Sequence, residues 1–212
     1  MIPVKICGIR CIEDALLSLE EGAWALGFIF HRPSPRFIEP AEAAELLLEI
    51  RRQAACDFRA VGVFVDWELE ELNAVIEQVG LDVVQLHGQE TPACAAGVAA
   101  GEVWKAFRVG PGFEPGLLDG FPPQVRILLD GWSPVEAGGA GQVFDWSVAR
   151  ACQQMRPVIL AGGIDAENLS AAIAEVHPFA VDVSSGVESA PGVKDGERIR
   201  QLFKEARACS KE

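Results

Sequence analysis

Residues 157–186 read PVILAGGIDAENLSAAIAEVHPFAVDVSSG. A short apolar run, Pro157–Leu160, gives way to Gly162 and Gly163. Asp165 then opens an amphipathic stretch that lasts to Val176, and a second apolar run follows from Phe179 to Ser184. Strand, helix and strand at this spacing form the unit that joins two parallel strands through a helical crossover.

The same unit recurs outward from this stretch. Apolar runs at Ile2–Cys7, Trp24–Phe30, Ala60–Val65, Asp82–His87, Glu102–Val109 and Val125–Asp130 alternate with helical patterns. Those patterns cover about Cys11–Gly22, Pro40–Ala55, Trp67–Gly80 and Thr91–Ala100, with a Pro- and Gly-rich candidate at Phe113–Gly120 and a helix from about Asp145. The last helix runs over Asp195–Ala208. Eight strand–helix units in 212 residues favour a closed (β/α)₈ TIM barrel over an open doubly wound sheet. Barrels of this length are routinely one domain, and no composition shift or long linker divides residues 1–212.

Composition narrows the function. Half of the residues are hydrophobic and 23% are charged, enough to build a large core under an ordinary surface. The net charge of −13 argues against nucleic acid or anionic lipid as partner. An anionic small molecule remains open to it, provided the site is built locally from backbone N–H groups and a few basic side chains. No apolar run reaches the ~20 residues that a bilayer span needs, and the start, MIPVKICGIR, is not a signal peptide. The six cysteines form neither a disulfide framework nor a zinc motif, since Cys7 and Cys11 have no His partner. The expectation is a reduced, cytoplasmic protein.

In a (β/α)₈ barrel the chemistry gathers at the C-terminal ends of the strands. Strands one, four, six and eight end on Cys7, His87, Asp130 and Ser184. Strand alternation turns Lys5 and Cys7 inward and Val4 and Ile6 toward the helices. Cys7 is open to two readings: a small buried filler, or a base that needs positive charge nearby to become thiolate. Asp130 shares its face with Arg126 and Leu128, and is either a proton donor or the cap of the turn at Gly131. His87 either touches substrate or is satisfied by a neighbouring strand. Lys5 and Asp182 fall on neighbouring strands of a closed barrel and are expected to pair inside it.

Two glycine-rich turns suit an anion. Gly162 and Gly163 follow the seventh strand, and Ser184, Ser185 and Gly186 follow the eighth, where barrels often hold a phosphate. The segment Glu188–Val193 offers room for the short extra helix that accompanies such sites. Arg32 and Arg36 sit in a stiff Pro-containing loop after the second strand. Each is either a guanidinium for an anion or an unpartnered surface Arg. After the sixth strand, Gly138, Gly139 and Gly141 make a stretch that reads as a mobile lid or as a plain linker.

The segments VKICGIR, FIFHRPSPRFI, VGVFVD, VVQLHG, ILLDGW, GGAGQVFDW, VILAGGI and AVDVSSGVE lie in this order over nearly the whole chain. Together they closely resemble the phosphoribosylanthranilate isomerases, the isomerases of tryptophan biosynthesis. The resemblance implies a barrel enzyme with no cofactor and no metal, taking one small phosphorylated substrate, as a monomer or homodimer. It implies Cys7 as general base and Asp130 as general acid of an Amadori rearrangement. It suggests Arg36 for the anthranilate carboxylate, and the loops with Gly162, Gly163, Ser184, Ser185 and Gly186 for the ribose phosphate. One departure falls in the sixth loop, where Ala140 and Gln142 replace the family's usual hydroxyl residue and frequent Lys. The rival readings are another phosphosugar-processing barrel enzyme and a non-catalytic phospholigand-binding barrel. The Cys7 and Asp130 pair argues against the first, and the intact acid, base and anion positions argue against the second.

Overall fold

A computed structural model describes residues 1–131 and 145–209. In chain order the elements are β1 (Val4–Cys7), α1 (Ile12–Glu21), β2 (Ala25–Ile29), α2 (Pro40–Gln53), β3 (Arg59–Phe64), α3 (Leu69–Val79) and β4 (Val83–Leu86). These are followed by α4 (Pro92–Gly97), β5 (Glu102–Val109), β6 (Arg126–Gly131), α5 (Trp146–Met155), β7 (Val158–Leu160), α6 (Leu169–Val176) and β8 (Ala180–Val183). A hairpin of β9 (Glu188–Ala190) and β10 (Val193–Lys194) precedes α7 (Gly196–Ala208). The first eight strands are parallel neighbours in sequence order, and β1 closes on β8 through the pairs Val4↔Val181, Lys5↔Asp182 and Ile6↔Val183. The expected (β/α)₈ barrel is therefore the observed one.

Period-two alternation builds two packed layers. Ala25, Val61, Val83, Trp104, Leu128, Ile159 and Ala180 fill the barrel interior. Val4, Ile6, Leu26, Phe28, Phe64, Val84, Leu129 and Val181 face outward under the helices. Trp104 is fully buried, and truncation of such a side chain costs ~3–5 kcal/mol.

At the N-terminal end of the strands, Trp24 stacks on Trp104 at 5.6 Å and meets Phe179 edge-on at 5.8 Å. Arg59 lies over Trp24 and Arg126 over Phe179. Glu102 accepts from Arg126 Nε at 2.7 Å and from Trp104 Nε1 at 2.9 Å. Aromatic faces and guanidinium groups thus seal the lower end of the barrel.

Helix starts follow local chemistry. The Asp195 carboxylate accepts from the N–H of Glu197 and Arg198 to cap α7. Thr91 Oγ1 accepts from Cys94 N ahead of α4, which carries Pro92 in its first turn.

Three expectations need correction or limits. The candidate helix at Phe113–Gly120 is a 3₁₀ segment over Pro115–Gly120. Pro115 lacks an N–H, and Gly116 and Gly120 favour the unfolded chain over the helix. The stretch Glu188–Val193 is not helical. Pro191 and Gly192 (φ +80°) make a tight turn, and β9 pairs antiparallel with β10 across it. The extra helical turn lies earlier, as a 3₁₀ turn at Ser185–Val187. The lid reading of Gly138, Gly139 and Gly141, with Ala140 and Gln142, falls outside the described residues.

Candidate active site

Inward alternation on β1 carries Lys5 and Cys7 into the barrel, and both are buried. Cys7 pairs in register with Gly27 of β2, and a methyl group placed on Gly27 would lie 2.7 Å from Cys7 Sγ. The absence of a side chain at Gly27 is thus what makes room for the sulfur. Lys5 donates to both Asp182 oxygens, at 2.9 and 2.8 Å, which is the expected internal ion pair. Burial pulls the Lys5 ammonium down, but Asp182 first and Cys7 after it together more than reverse this.

Burial also pushes the Cys7 thiol up, Lys5 pulls it down, and Asp182 pushes it up again; the net direction is upward. A thiol that serves as base needs nearby cations to make it acidic. The cation is present, but Asp182 already neutralises much of it.

Asp130 is the penultimate residue of β6 and is half-buried. His87 Nε2 stands 3.1 Å from its Oδ2, and Gln85 Nε2 lies 2.9 Å from His87 Nδ1. Gln85 is 1% exposed and turned inward on β4, and its Oε1 has no hydrogen-bond partner. His87 is therefore satisfied by the acid two strands away. Its inward parity with Gln85 was the available signal. Gly162 (φ +84°) packs where the chain crosses the end of β6: a Cβ there would meet Gly131 N at 2.1 Å and Asp130 Oδ1 at 3.1 Å. Gly162 thus belongs beside the acid.

The residues expected to hold anions separate into two groups. Arg36, Gly163, Ser185 and Gly186 line one cavity of about 400 Å³, together with Asp165, Glu188 and Arg198. Ser184 turns toward the base instead and donates from Oγ to the Cys7 carbonyl at 3.1 Å. Arg32 pairs with Glu39 on the surface at 2.8 Å.

Arg36 is already engaged. Its Nε and Nη2 donate to Glu188 Oε1 and Oε2 at 2.8 and 2.7 Å. Glu188 also accepts from Lys194 Nζ at 2.8 Å, and the same ammonium donates to the carbonyls of Cys7 and Ser184 at 2.5 and 3.1 Å. Burial pushes the Glu188 carboxyl up, but Arg36 and Lys194 hold it below its ordinary range. Burial holds the Lys194 ammonium below its own ordinary value against the pull of Glu188. Sequence reading assigned nothing to Glu188 or Lys194, because only the hairpin fold brings them together.

A second buried pair braces the upper rim. Lys105 donates to Glu90 at 2.8 Å and to the Gly88 carbonyl at 2.7 Å, while Glu90 accepts from the N–H groups of Asp66 and Gly88. It ties the loops after β3 and β4 to β5.

Residues 4–205 match the family model described as N-(5′-phosphoribosyl)anthranilate (PRA) isomerase. The chain is similar to the N-(5′-phosphoribosyl)anthranilate isomerase of Geobacter sp. (strain M21), with 46% identity over 214 residues covering 99% of this chain and 100% of that one. It is similar in structure to the phosphoribosylanthranilate isomerase of Thermotoga maritima, at 41% identity and a TM-score of 0.87, covering 98% and 100% of the two chains. A phosphoribosylanthranilate isomerase solved with reduced 1-(o-carboxyphenylamino)-1-deoxyribulose 5-phosphate is 38% identical, with a TM-score of 0.84 over 98% of this chain and 100% of that one.

Proposed function

The chain belongs to the N-(5′-phosphoribosyl)anthranilate isomerase family, and from that premise we propose how its own residues carry the reaction. It is an isomerase of tryptophan biosynthesis that converts N-(5′-phosphoribosyl)anthranilate to 1-(2-carboxyphenylamino)-1-deoxyribulose 5-phosphate. The observation that carries the assignment of roles is that Cys7 and Asp130 both end inward-facing positions at the same mouth of one closed barrel. The whole chain acts as one catalytic domain.

Asp130 protonates the furanose ring oxygen as the anilino nitrogen pushes its lone pair toward C1. The ring opens to a Schiff base, which acidifies the C2 proton. Cys7, as thiolate, removes that proton, and the resulting enolamine tautomerises to the ketone. Opposed proton transfers need two groups on different strands with the sugar between them. The glycine-rich turns at Gly163, Ser185 and Gly186 take the phosphate through backbone N–H groups, while Ser184 and Gly162 shape the backbone around base and acid. Arg36 takes the anthranilate carboxylate. These contacts grip parts of the substrate that do not react and so fix the sugar for transfer. The enzyme works in the cytoplasm, where its six cysteines stay reduced.

Fluorescence tests this reading. Anthranilate-linked substrate mixed with the enzyme loses its signal as product forms. Binding with no change on prolonged incubation would instead support a phospholigand-binding barrel without catalysis.

A further inference from the structure

Arg36 grips Glu188 through one edge only, Nε and Nη2. A guanidinium has five N–H donors in a planar fork, so the edge that includes Nη1 remains for a second acceptor. Glu188 meanwhile answers to two cations. Lys194 holds Oε1 at 2.8 Å, and Gly192 N approaches Oε2 at 3.3 Å. Two positive charges therefore share one carboxylate, which leaves these three side chains a net positive charge as long as Cys7, whose charge both cations feel, keeps its proton.

That surplus is confined. The side chains of Lys194 and Glu188 are 0% and 3% exposed, whereas that of Arg36 is 20% exposed. A buried uncompensated charge is costly, so the cluster is built for an incoming anion, and only Arg36 opens to the cavity to receive it. Of the other charged groups lining that cavity, Arg198 donates to the Glu188 carbonyl. The Asp165 carboxylate accepts from the N–H of Glu167 and Asn168.

We propose that Lys194 is a specificity-determining residue for the aryl carboxylate of the substrate, acting through Glu188 on Arg36. Without Lys194, Arg36 and Glu188 would form a neutral pair whose Nη1 edge still offers donors but no surplus charge to draw an anion. With it, Glu188 serves as a clamp that orients the guanidinium while Lys194 cancels its charge. Lys194 is a positioning residue: it touches no substrate, and its bond to the Cys7 carbonyl ties the carboxylate reader to the backbone of the base. The proposal rests on the reading that Arg36 takes the carboxylate.

The test uses two non-reacting ligands, reduced 1-(2-carboxyphenylamino)-1-deoxyribulose 5-phosphate and its phenylamino counterpart without the carboxyl group. Lys194→Met is expected to weaken the carboxylated ligand about tenfold or more, the size of a lost charge-assisted contact, and to leave the other within about twofold. The double variant Lys194→Met/Glu188→Gln restores the net positive charge and is expected to recover most of the carboxylate preference. A purely structural role for Lys194 predicts a double variant no better than the single one, and that result overturns the proposal, as does equal weakening of both ligands. Should Lys194→Met not fold, Lys194→Gln makes the same charge change. Arg36→Met separates the two levels of the argument. If it fails to discriminate between the ligands, the carboxylate reading of Arg36 falls. If it discriminates while Lys194→Met does not, only the role of Lys194 falls.

Discussion

His87 Nε2 stands 3.1 Å from Asp130 Oδ2, with Gln85 Nε2 held against the other ring nitrogen at 2.9 Å. An acid that must give up and regain a proton in each cycle therefore sits beside an imidazole whose orientation is fixed from inside the barrel. Replacing His87 with Asn is expected to lower kcat by roughly tenfold, less than loss of the acid itself, and to move the pH profile of kcat with little change in KM. A variant with wild-type kcat and an unmoved profile would reduce His87 to a packing group.

The acid and base themselves should be less forgiving. Cys7→Ala and Asp130→Asn are each expected to cut kcat by ~10²–10⁴-fold, the range for a positioned proton donor or acceptor. Melting curves should show the fold retained, because neither change leaves a buried charge unpaired. More than about a tenth of the wild-type kcat in either variant contradicts the assigned role.

Lys5 and Asp182 make an ion pair inside the barrel, where Lys5 is fully buried. Lys5→Met leaves the Asp182 carboxylate uncompensated, and removing one partner of such a pair costs ~3–5 kcal/mol. Urea unfolding should show this loss, and the double variant Lys5→Met/Asp182→Leu should recover part of it. Full stability and activity in Lys5→Met would show the pair to be dispensable.

Thiols set the alkaline limit. Burial pushes Cys11 and Cys152 up to about 11 from an ordinary 9.0, and Cys7 moves the same way. A folded state that keeps its protons longer than the unfolded chain loses stability as pH rises above the unfolded value. The melting temperature is thus expected to fall progressively from about pH 9 toward 11, and Cys152→Ala should flatten the slope. Cys7 must be ionised and Asp130 protonated in the same active form, so a rise in pH gains the base only as it loses the acid, and kcat/KM is expected to stay flat and then fall through the thiol range. A kcat/KM that keeps climbing through the thiol range would contradict Asp130 as the proton donor.

The fold was legible because it repeats. Each apolar run ends in a turn signal, and eight runs at steady spacing leave few architectures open. The reading slipped where local chemistry was weakest: PGLLDG at residues 115–120 has too much Pro and Gly for an α-helix, and a two-residue turn at Pro191–Gly192 turned a guessed helix into a hairpin. For the site, strand parity alone placed Cys7, Lys5, Asp130 and Asp182. It could not reveal that His87 reaches Asp130 across an intervening strand, nor that Arg36 meets Glu188 from 152 positions away. Side-chain reach across strands and the path of a hairpin are three-dimensional facts, and no local pattern encodes them. Arg36 illustrates the gap most sharply. Its type and loop marked it as an anion binder, whereas its resting partner is a carboxylate of the protein.

The stacked Trp24 and Trp104, with Arg59, Arg126 and Glu102 around them, make the barrel a cup and not a pipe. Traffic through a cup is one-way in turn: whatever enters over the rim must leave over it. Spent sugar and fresh sugar therefore queue for a single doorway, and the departing molecule stands in the path of its successor.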